Sequence, residues 1–203
     1  MTKVQSQSKY FVYFQSMPSS AQRVIFLACG SFNPPTNLHL RLFELARDHF
    51  RVHQPESTVL GGVISPVHDA YKKSSLISSQ HRLAMARLSV AGDQSWPIKV
   101  SFNHSYTYTF INSFKVSDWE VRQEGWTRTR AVLDSYTKIA NTDNNVDWLP
   151  PLGSQSQGPI SFKLLCGADL LESFAVPNLW NEEDLTTIVR DYGIVVISRY
   201  CLE

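Results

Sequence analysis

Three shortages characterise the sequence: it has few cysteines, no long apolar run and almost no net charge. The cysteines, Cys29, Cys166 and Cys201, are an odd number without CxxC spacing. This argues against a disulfide framework and against a zinc-binding motif. A reducing compartment fits such a composition, and we therefore expect the protein in the cytoplasm, the nucleus or both.

No apolar stretch approaches the roughly 18 to 20 residues that cross a bilayer, and the longest ones, VIFLACG and IVVIS, have the length of buried strands. The 19 Lys+Arg residues against 18 Asp+Glu residues leave a net charge of +1, too little to gather nucleic acid or anionic lipid over a distance. We therefore expect a soluble protein without a nucleic-acid or membrane partner, in which a local site holds any anionic ligand. The 203 residues are 43% hydrophobic, enough for one sizeable core.

The chain predicts a single domain over residues 23–203, preceded by a disordered extension over residues 1–22. The extension lacks both the apolar core of a secretory signal and the Arg-rich amphipathicity of a transit peptide. Residues 141–159 are rich in Asn, Asp, Pro, Gly, Ser and Gln, which predicts a flexible surface linker.

Within the domain, short apolar runs alternate with stretches of helical period. Val24–Cys29 has the pattern of a buried strand, and apolar positions from Leu38 onward recur at helical spacing, with Asn37 or Thr36 as the N-cap. The same alternation predicts further strands at Val59–Ile64, Ile98–Val100, Phe162–Cys166 and Ile194–Ser198, and further helices at Ser79–Val90, Glu120–Ile139, Asp169–Phe174 and Glu182–Arg190. This indicates an α/β protein with a doubly wound, mainly parallel sheet and helices on both faces.

The segment 101–116 interrupts the alternation. It is SFNHSYTYTFINSFKV, without helical period, and it is bounded by two copies of Lys-Val-Ser, at 99–101 and 115–117. Removing it joins a strand directly to the Asp-Trp-Glu that opens the next predicted helix. We interpret the segment as an insertion, with an ordinary β-hairpin, favoured by the TYTF alternation, as the alternative.

The stretch GSFNPPTNLH, residues 30–39, carries the clearest chemical signal. A glycine at the carboxyl end of the first strand lets backbone N–H groups approach a phosphate, and the following helix directs its positive end to the same place. His39 lies in the first turn of that helix, where it can donate a hydrogen bond to an anionic oxygen. The whole block favours a phosphate-binding loop over a plain strand-to-helix turn with a surface histidine.

This block resembles the Gly-x-Phe-x-Pro-(His/Thr)-x-x-His signature of nucleotidyltransferases, with Thr36 at the alternative position. Three further blocks, ISPVHDAYKK, SDWEVRQEGWTRT and LLCGADLLESFAVPNLW, are similar in sequence and order to those of the eukaryotic nicotinamide mononucleotide adenylyltransferases. The resemblance extends from about Val24 to Arg199. It implies a Rossmann-like nucleotidyltransferase fold.

The resemblance also implies a reaction. The 5′-phosphate of nicotinamide mononucleotide, or of nicotinate mononucleotide, attacks the α-phosphorus of ATP, which gives NAD or its deamido form and pyrophosphate. A phosphate monoester has a second pKa of about 6, so the nucleophile is already charged at neutral pH and needs no general base. Mg²⁺ is expected to be held through ATP phosphates and water, without protein ligands. The implied assembly is a homo-oligomer.

The resemblance assigns His39 as the catalytic residue, which binds the ATP phosphates and stabilises the transition state. The implied ATP site consists of Gly30, Ser31, Phe32, His39, Gly167, Asp169 and Arg199. The implied mononucleotide site consists of Ser31, Lys73, Trp119, Trp126, Thr129, Leu179 and Trp180. Three alternatives stay open: Lys72 competes with Lys73 for the phosphate, Trp119 has a core position as its alternative, and Asp169 also suits a helix cap.

Proteins of this family continue through a further strand and a Ser-Ser/Ala-Thr-x-x-Arg block that supplies a second clamp for ATP. No such block occurs in this sequence. We therefore expect the last strand and the C-terminal helices of the fold to be missing, and little or no activity in the chain as given. Two alternative functions follow: an impaired spliced or truncated form that binds nucleotides or modulates oligomers, and a sister nucleotidyltransferase acting on another phosphate, such as pantetheine phosphate.

Overall fold

The computed structural model describes residues 2–4, 10–14, 22–71, 73–91, 114–142 and 158–199. In chain order the elements are β1 (Thr2–Val4), β2 (Tyr10–Phe14), β3 (Arg23–Gly30), α1 (Asn37–His53), β4 (Thr58–Pro66), α2 (Ser79–Ala91), β5 (Phe114–Val116), α3 (Thr129–Thr142), β6 (Ile160–Gly167), α4 (Ala168–Ser173), α5 (Glu182–Thr187) and β7 (Ile194–Arg199). A 3₁₀ turn at Glu120–Arg122 precedes α3, and a π-helical turn at Ile188–Tyr192 continues α5. None of the described helices is long and apolar enough to cross a membrane.

The strands of the described residues form one sheet in the order β1-β2-β7-β6-β3-β4-β5. The five strands from β7 to β5 are parallel to their neighbours, and β3 lies at their centre between β6 and β4. Gly30 ends β3 and pairs opposite Pro66, while Gly167 ends β6 and pairs opposite Ile197. Both glycines therefore lie at the carboxyl ends of neighbouring parallel strands, on the same side of the sheet. This confirms the predicted α/β fold and the shared position of the strands' carboxyl ends.

Helices cover both faces of the central strands, and the core is divided between the two faces. Successive residues of β3 alternate between them: Ile25 and Leu27 pack in the cluster that includes α3, whereas Phe26 packs in the cluster that includes α1. Close packing of α1 on the sheet needs a glycine in β4, because a Cβ on Gly62 would lie 2.3 Å from a ring carbon of Phe43. Burial on both faces explains why the central strands are continuous apolar runs.

A strand that the sequence did not predict lies next to β4. It is β5, in which Val116 pairs with Ile64, and it belongs to the second Lys-Val-Ser copy. The predicted strand at 98–100 and most of the segment 101–116 lie outside the described residues, so the insertion stays a prediction. Its last three residues are part of the sheet, however, so excising 101–116 requires Ile98-Lys99-Val100 to replace β5.

The predicted helix at Glu120–Ile139 was wrong in its first half. The chain makes only a 3₁₀ turn, becomes extended at Gln123, and begins α3 at Thr129. The side-chain amide of Gln123 donates a hydrogen bond to the carbonyl of Trp119 at 2.7 Å, which closes the turn. Gly125 follows, and glycine is unfavourable in the interior of a helix. Trp119 and Trp126 are therefore not on one helical face.

The structure also differs from the expectation of a disordered extension. Within residues 1–22, β2 pairs antiparallel with β7, with Phe14 opposite Val195, and β1 pairs with β2. The sequence YFVYF of β2 consists of aromatic and β-branched residues, which favour strands, and its pairing covers one edge of β7. The division of the chain into an extension and one domain stays a prediction.

Candidate active site

The loop between β3 and α1 bends sharply at the carboxyl edge of the sheet. Phe32 has φ 45°, in the left-handed region that costs energy for a bulky residue. Its ring is buried and lies against Gly30, where ring atoms would come within 3.4 Å of an added Cβ. Burial of the ring thus stabilises a backbone turn that exposes the end of the strand.

His39 is held by the cap of its own helix. Thr36 is the N-cap of α1, one of the two predicted alternatives, and its backbone N–H donates a hydrogen bond to Nδ1 of His39 at 2.8 Å. The ring edge of His39 also contacts Phe32, with centroids 5.2 Å apart. Because Nδ1 accepts, the neutral imidazole carries its proton on Nε2, which makes Nε2–H a donor.

The loop after β4 meets the loop after β3 at Lys73 and Ser31, two residues of the implied mononucleotide site. Val67 N–H donates to the carbonyl of Gly30 at 2.9 Å, and Lys73 Nζ donates to Oγ of Ser31 at 3.2 Å. The Asn33 side chain donates to the carbonyl of Ser75 at 2.9 Å. The two loops therefore form one surface with a lysine and a hydroxyl side by side; Lys72 lies outside the described residues.

Arg82, which the sequence reasoning missed, holds the two loops together from the protein interior. Its fully buried guanidinium donates to the carbonyls of Ser31 at 3.1 Å and Val67 at 2.8 Å, and to the carboxylate of Asp69 at 2.8 Å. Burial alone would raise the pKa of Asp69, but hydrogen bonds from Ser79 and Arg82 hold it below its usual value. A signal was present in the sequence, because Arg82 falls on the apolar face of α2.

The aromatic residues divide into exposed and packed ones. Trp126 is 50% exposed, and its ring centroid lies 6.1 Å from that of Tyr71, a second residue that the sequence reasoning missed. Trp180 donates from Nε1 to Oγ of Ser173 at 3.0 Å and packs against the helical segment that precedes it. Trp119 and Trp180 both pack against the core, and Trp119 makes a T-shaped contact with the buried Tyr136. The structure thus favours the core alternative for Trp119.

The remaining predicted residues lie around the carboxyl edge. Thr129 begins α3, and Leu179, 60% exposed, directly precedes Trp180. At the end of β6, a Cβ on Gly167 would lie 2.6 Å from Oδ1 of Asp169, so the carboxylate folds back over the glycine. Gly167 is the N-cap of α4 and Asp169 lies in its first turn, so Asp169 is not the capping residue. Arg199 is the last residue of β7.

A buried polar network lies beneath the two loops. Ser65, near the end of β4, donates to Oε2 of Glu120 at 2.8 Å and accepts from the hydroxyl of Tyr136 at 3.2 Å. Burial raises the pKa of Glu120 to about 8, although the Ser65 hydrogen bond and the charge of Arg82 lower it in part. Burial therefore favours the protonated form of Glu120.

The two described cysteines, at the ends of β3 and β6, have thiols that are poor nucleophiles. Cys29 and Cys166 immediately precede the two glycines, and both are free. Burial raises the pKa of Cys29 well above its ordinary value and that of Cys166 to about 12, so neither is a thiolate at neutral pH. Over the described ranges, no three or more His, Cys, Asp and Glu side chains are grouped so that they could hold a metal ion.

Comparisons with known proteins agree with this geometry. Residues 27–201 match a family model described as cytidylyltransferase-like. The chain is 31% identical to nicotinamide/nicotinic acid mononucleotide adenylyltransferase 2 of Xenopus tropicalis, over 89% of this chain and 74% of that protein. The chain belongs to the nicotinamide/nicotinic acid mononucleotide adenylyltransferase family. This membership confirms the family resemblance of the four sequence blocks.

Other members of the mononucleotide adenylyltransferase family show how much of the protein the chain represents. It is 41% identical to the nicotinamide-nucleotide adenylyltransferase of Drosophila melanogaster, over 97% of this chain but 50% of that protein. For the Bos taurus nicotinamide/nicotinic acid mononucleotide adenylyltransferase 1, the identity is 39% over 89% of this chain and 66% of the relative. The chain thus spans about half to two thirds of these relatives.

A solved structure shares the fold. The Plasmodium falciparum nicotinic acid mononucleotide adenylyltransferase complexed with NaAD matches with a TM-score of 0.50, over 90% of this chain and 78% of that one. The sequence identity is 14%, so the match supports the family fold alone.

Proposed function

We propose that the protein transfers the adenylyl group of ATP to nicotinamide mononucleotide or nicotinate mononucleotide. An oxygen of the mononucleotide 5′-phosphate forms a bond to the α-phosphorus of ATP, the bond from that phosphorus to the bridging oxygen breaks, and pyrophosphate leaves with the electron pair. The observation that carries the proposal is the contact of Lys73 Nζ with Ser31 Oγ at 3.2 Å, beside the N-terminus of α1. It joins a cation, a hydroxyl and a helix N-terminus in one anion-binding surface.

His39 acts on the ATP side of this surface. Its Nε2–H donates to an oxygen of the triphosphate, where negative charge increases as pyrophosphate leaves. The hydrogen bond from Thr36 at 2.8 Å orients the ring before ATP arrives, so no reorganisation is needed during the reaction. Gly30, Phe32, Gly167, Asp169 and Arg199 contribute to the same nucleotide site in the proposal.

The mononucleotide occupies the neighbouring region. Lys73 and Ser31 hold its 5′-phosphate, and the indoles of Trp126 and Trp180 bind the flat, cationic pyridine ring, a role for which the half exposure of Trp126 is suited. Backbone groups of Thr129 and Leu179 bind the carboxamide or carboxylate.

Mg²⁺ enters this proposal as part of the ATP substrate. When bound to the triphosphate, it neutralises charge on the transferring and leaving phosphates. The protein groups that neutralise the same phosphate charge are the N-terminus of α1, His39 and Lys73. We also propose a homo-oligomer located in the cytoplasm, the nucleus or both.

Ligand binding by the chain as given tests the proposed mononucleotide site. We expect saturable quenching of tryptophan fluorescence by nicotinamide mononucleotide and by nicotinate mononucleotide, and no saturable response to 4′-phosphopantetheine. A preference for phosphopantetheine would instead support a sister nucleotidyltransferase, and no response to any of the three would remove the proposed site.

A further inference from the structure

The proposed mononucleotide site is assembled from two segments that are distant in the sequence. Trp126 and Thr129 precede and begin α3, whereas Leu179 and Trp180 lie just before α5. A ring held by both segments requires that the distance between them be constant. The contacts between α3 and α5 therefore determine the distance between the two segments.

Asp184, in the first turn of α5, joins the two segments through a pair of arginines. Its Oδ2 lies 3.1 Å from a guanidinium nitrogen of Arg128, and its Oδ1 lies 3.7 Å from one of Arg130. These arginines are the residues on either side of Thr129. One carboxylate thus contacts the segment of α3 on both sides of a proposed ligand-binding residue.

The same residue is also tied to the other segment. The backbone N–H of Asp184 donates to Oδ1 of Asn181 at 3.0 Å, which caps α5, and Asn181 directly follows Trp180. A change in the position of Asp184 therefore moves the chain at Leu179 and Trp180 as well.

Burial of Asp184 makes this contact more costly to break than a surface ion pair. The side chain of Asp184 is only 7% exposed, so its charge is desolvated and depends on the two guanidiniums, and removing one partner of such a pair is costly. Glu183, the next residue, is 81% exposed and lies 3.9 Å from Arg130, where solvent screens the attraction. The chain thus offers a neighbouring carboxylate as a control.

We propose that Asp184 is a positioning residue for the mononucleotide site, which it serves by holding the segments 126–129 and 179–180 at the spacing that one pyridine ring needs. The inference rests on the proposed function. It assigns no contact between Asp184 and the ligand.

The test compares two ligands in the 203-residue chain. For Asp184→Asn, which keeps the size of the side chain, we expect the Kd of nicotinamide mononucleotide to rise about tenfold. The Kd of ATP should stay within about twofold, because the ATP residues lie on other elements. Glu183→Gln should change neither constant. A general loss of structure would weaken both ligands together, so the ratio of the two constants separates positioning from folding.

A second variant guards against unfolding of the first. Arg128 is largely exposed, so Arg128→Gln should fold and should weaken mononucleotide binding in the wild-type background but not in the Asp184→Asn background. Unchanged mononucleotide binding in Asp184→Asn, or equal losses for both ligands, would overturn the inference while leaving the proposed function intact. Failure of the unmodified chain to bind the mononucleotide would overturn the proposed function and this inference with it.

Discussion

The backbone N–H of Thr36 lies 2.8 Å from Nδ1 of His39, and this hydrogen bond links the start of α1 to the orientation of an imidazole. Because the same threonine is the helix N-cap, the positive end of the helix and the Nε2–H donor of His39 are fixed by one local arrangement. The helix cap therefore supplies an oriented donor at the start of α1.

In a version of the chain completed with the C-terminal residues of a relative, His39→Ala should lower turnover by about 10²- to 10³-fold, because the imidazole donates where charge builds up in the transition state. The Kd of nicotinamide mononucleotide should change by less than about threefold, because the ring is assigned to the ATP side. Steady-state rates and binding titrations on the same preparation check both values. Near-normal turnover would make His39 a capping residue only.

Lys73→Ala should weaken binding of nicotinamide mononucleotide by about tenfold or more, because a charge-assisted contact to the phosphate is lost. Nicotinamide riboside, which lacks the phosphate, should bind the variant and the wild type equally. Titration calorimetry with both ligands measures the difference, and Lys73→Arg serves as the charge-preserving control. Equal weakening of both ligands would show that Lys73 does not act on the phosphate.

Trp126→Ala should mainly weaken mononucleotide binding, whereas Trp119→Ala should mainly lower the stability of the fold. Loss of the half-exposed Trp126 should weaken mononucleotide binding by about tenfold and leave the melting temperature within about 2 °C. Loss of Trp119, which packs on Tyr136, should cost on the order of 3 kcal/mol of stability. Thermal unfolding and titration of the two variants check this, and the reverse result would reassign the ring-binding residue.

Glu120→Gln should remove a pH dependence of stability. The pKa of Glu120 is raised by burial from 4.5 to about 8, so between these values the folded chain holds a proton that the unfolded chain releases. The free energy of unfolding therefore falls as pH rises through this range. Glutamine keeps a hydrogen-bonding partner for Ser65 without the charge. At pH 5, the free energy of unfolding of Glu120→Gln should be similar to that of the wild type. At pH 8, it should be larger by on the order of 2 kcal/mol.

Urea unfolding at both pH values measures this difference, and the exposed Glu124→Gln is the matched control. Parallel pH profiles for Glu120→Gln and the wild type would mean that the carboxyl is ionised in the folded protein.

The sequence predicted the parts of the fold that local patterns determine. The four apolar runs became β3, β4, β6 and β7, and the blocks at 30–39 and 64–73 meet where these strands have their carboxyl ends. Their positions follow from strand burial and from the rule that parallel strands share a carboxyl edge.

The choice of edge strand depends on tertiary contacts. The described strand β5 includes Lys115 and Val116 of the second Lys-Val-Ser copy, and the ring of its Phe114 lies 5.0 Å from that of Phe43 in α1. No local pattern carries that contact. For Arg82, its place on the apolar face of α2 is a local signal, but its partners are backbone carbonyls of two loops that only the fold brings together.

Formation of NAD is the most direct test of the account. The chain, and a version joined to the remaining residues of the Drosophila relative, are incubated with ATP, Mg²⁺ and nicotinamide mononucleotide, and NAD and pyrophosphate are quantified. We predict that the joined version forms the two products in equal amounts and that His39→Ala in it abolishes most of both. Absence of NAD from both versions, with their secondary structure intact, would contradict the assignment of adenylyl transfer.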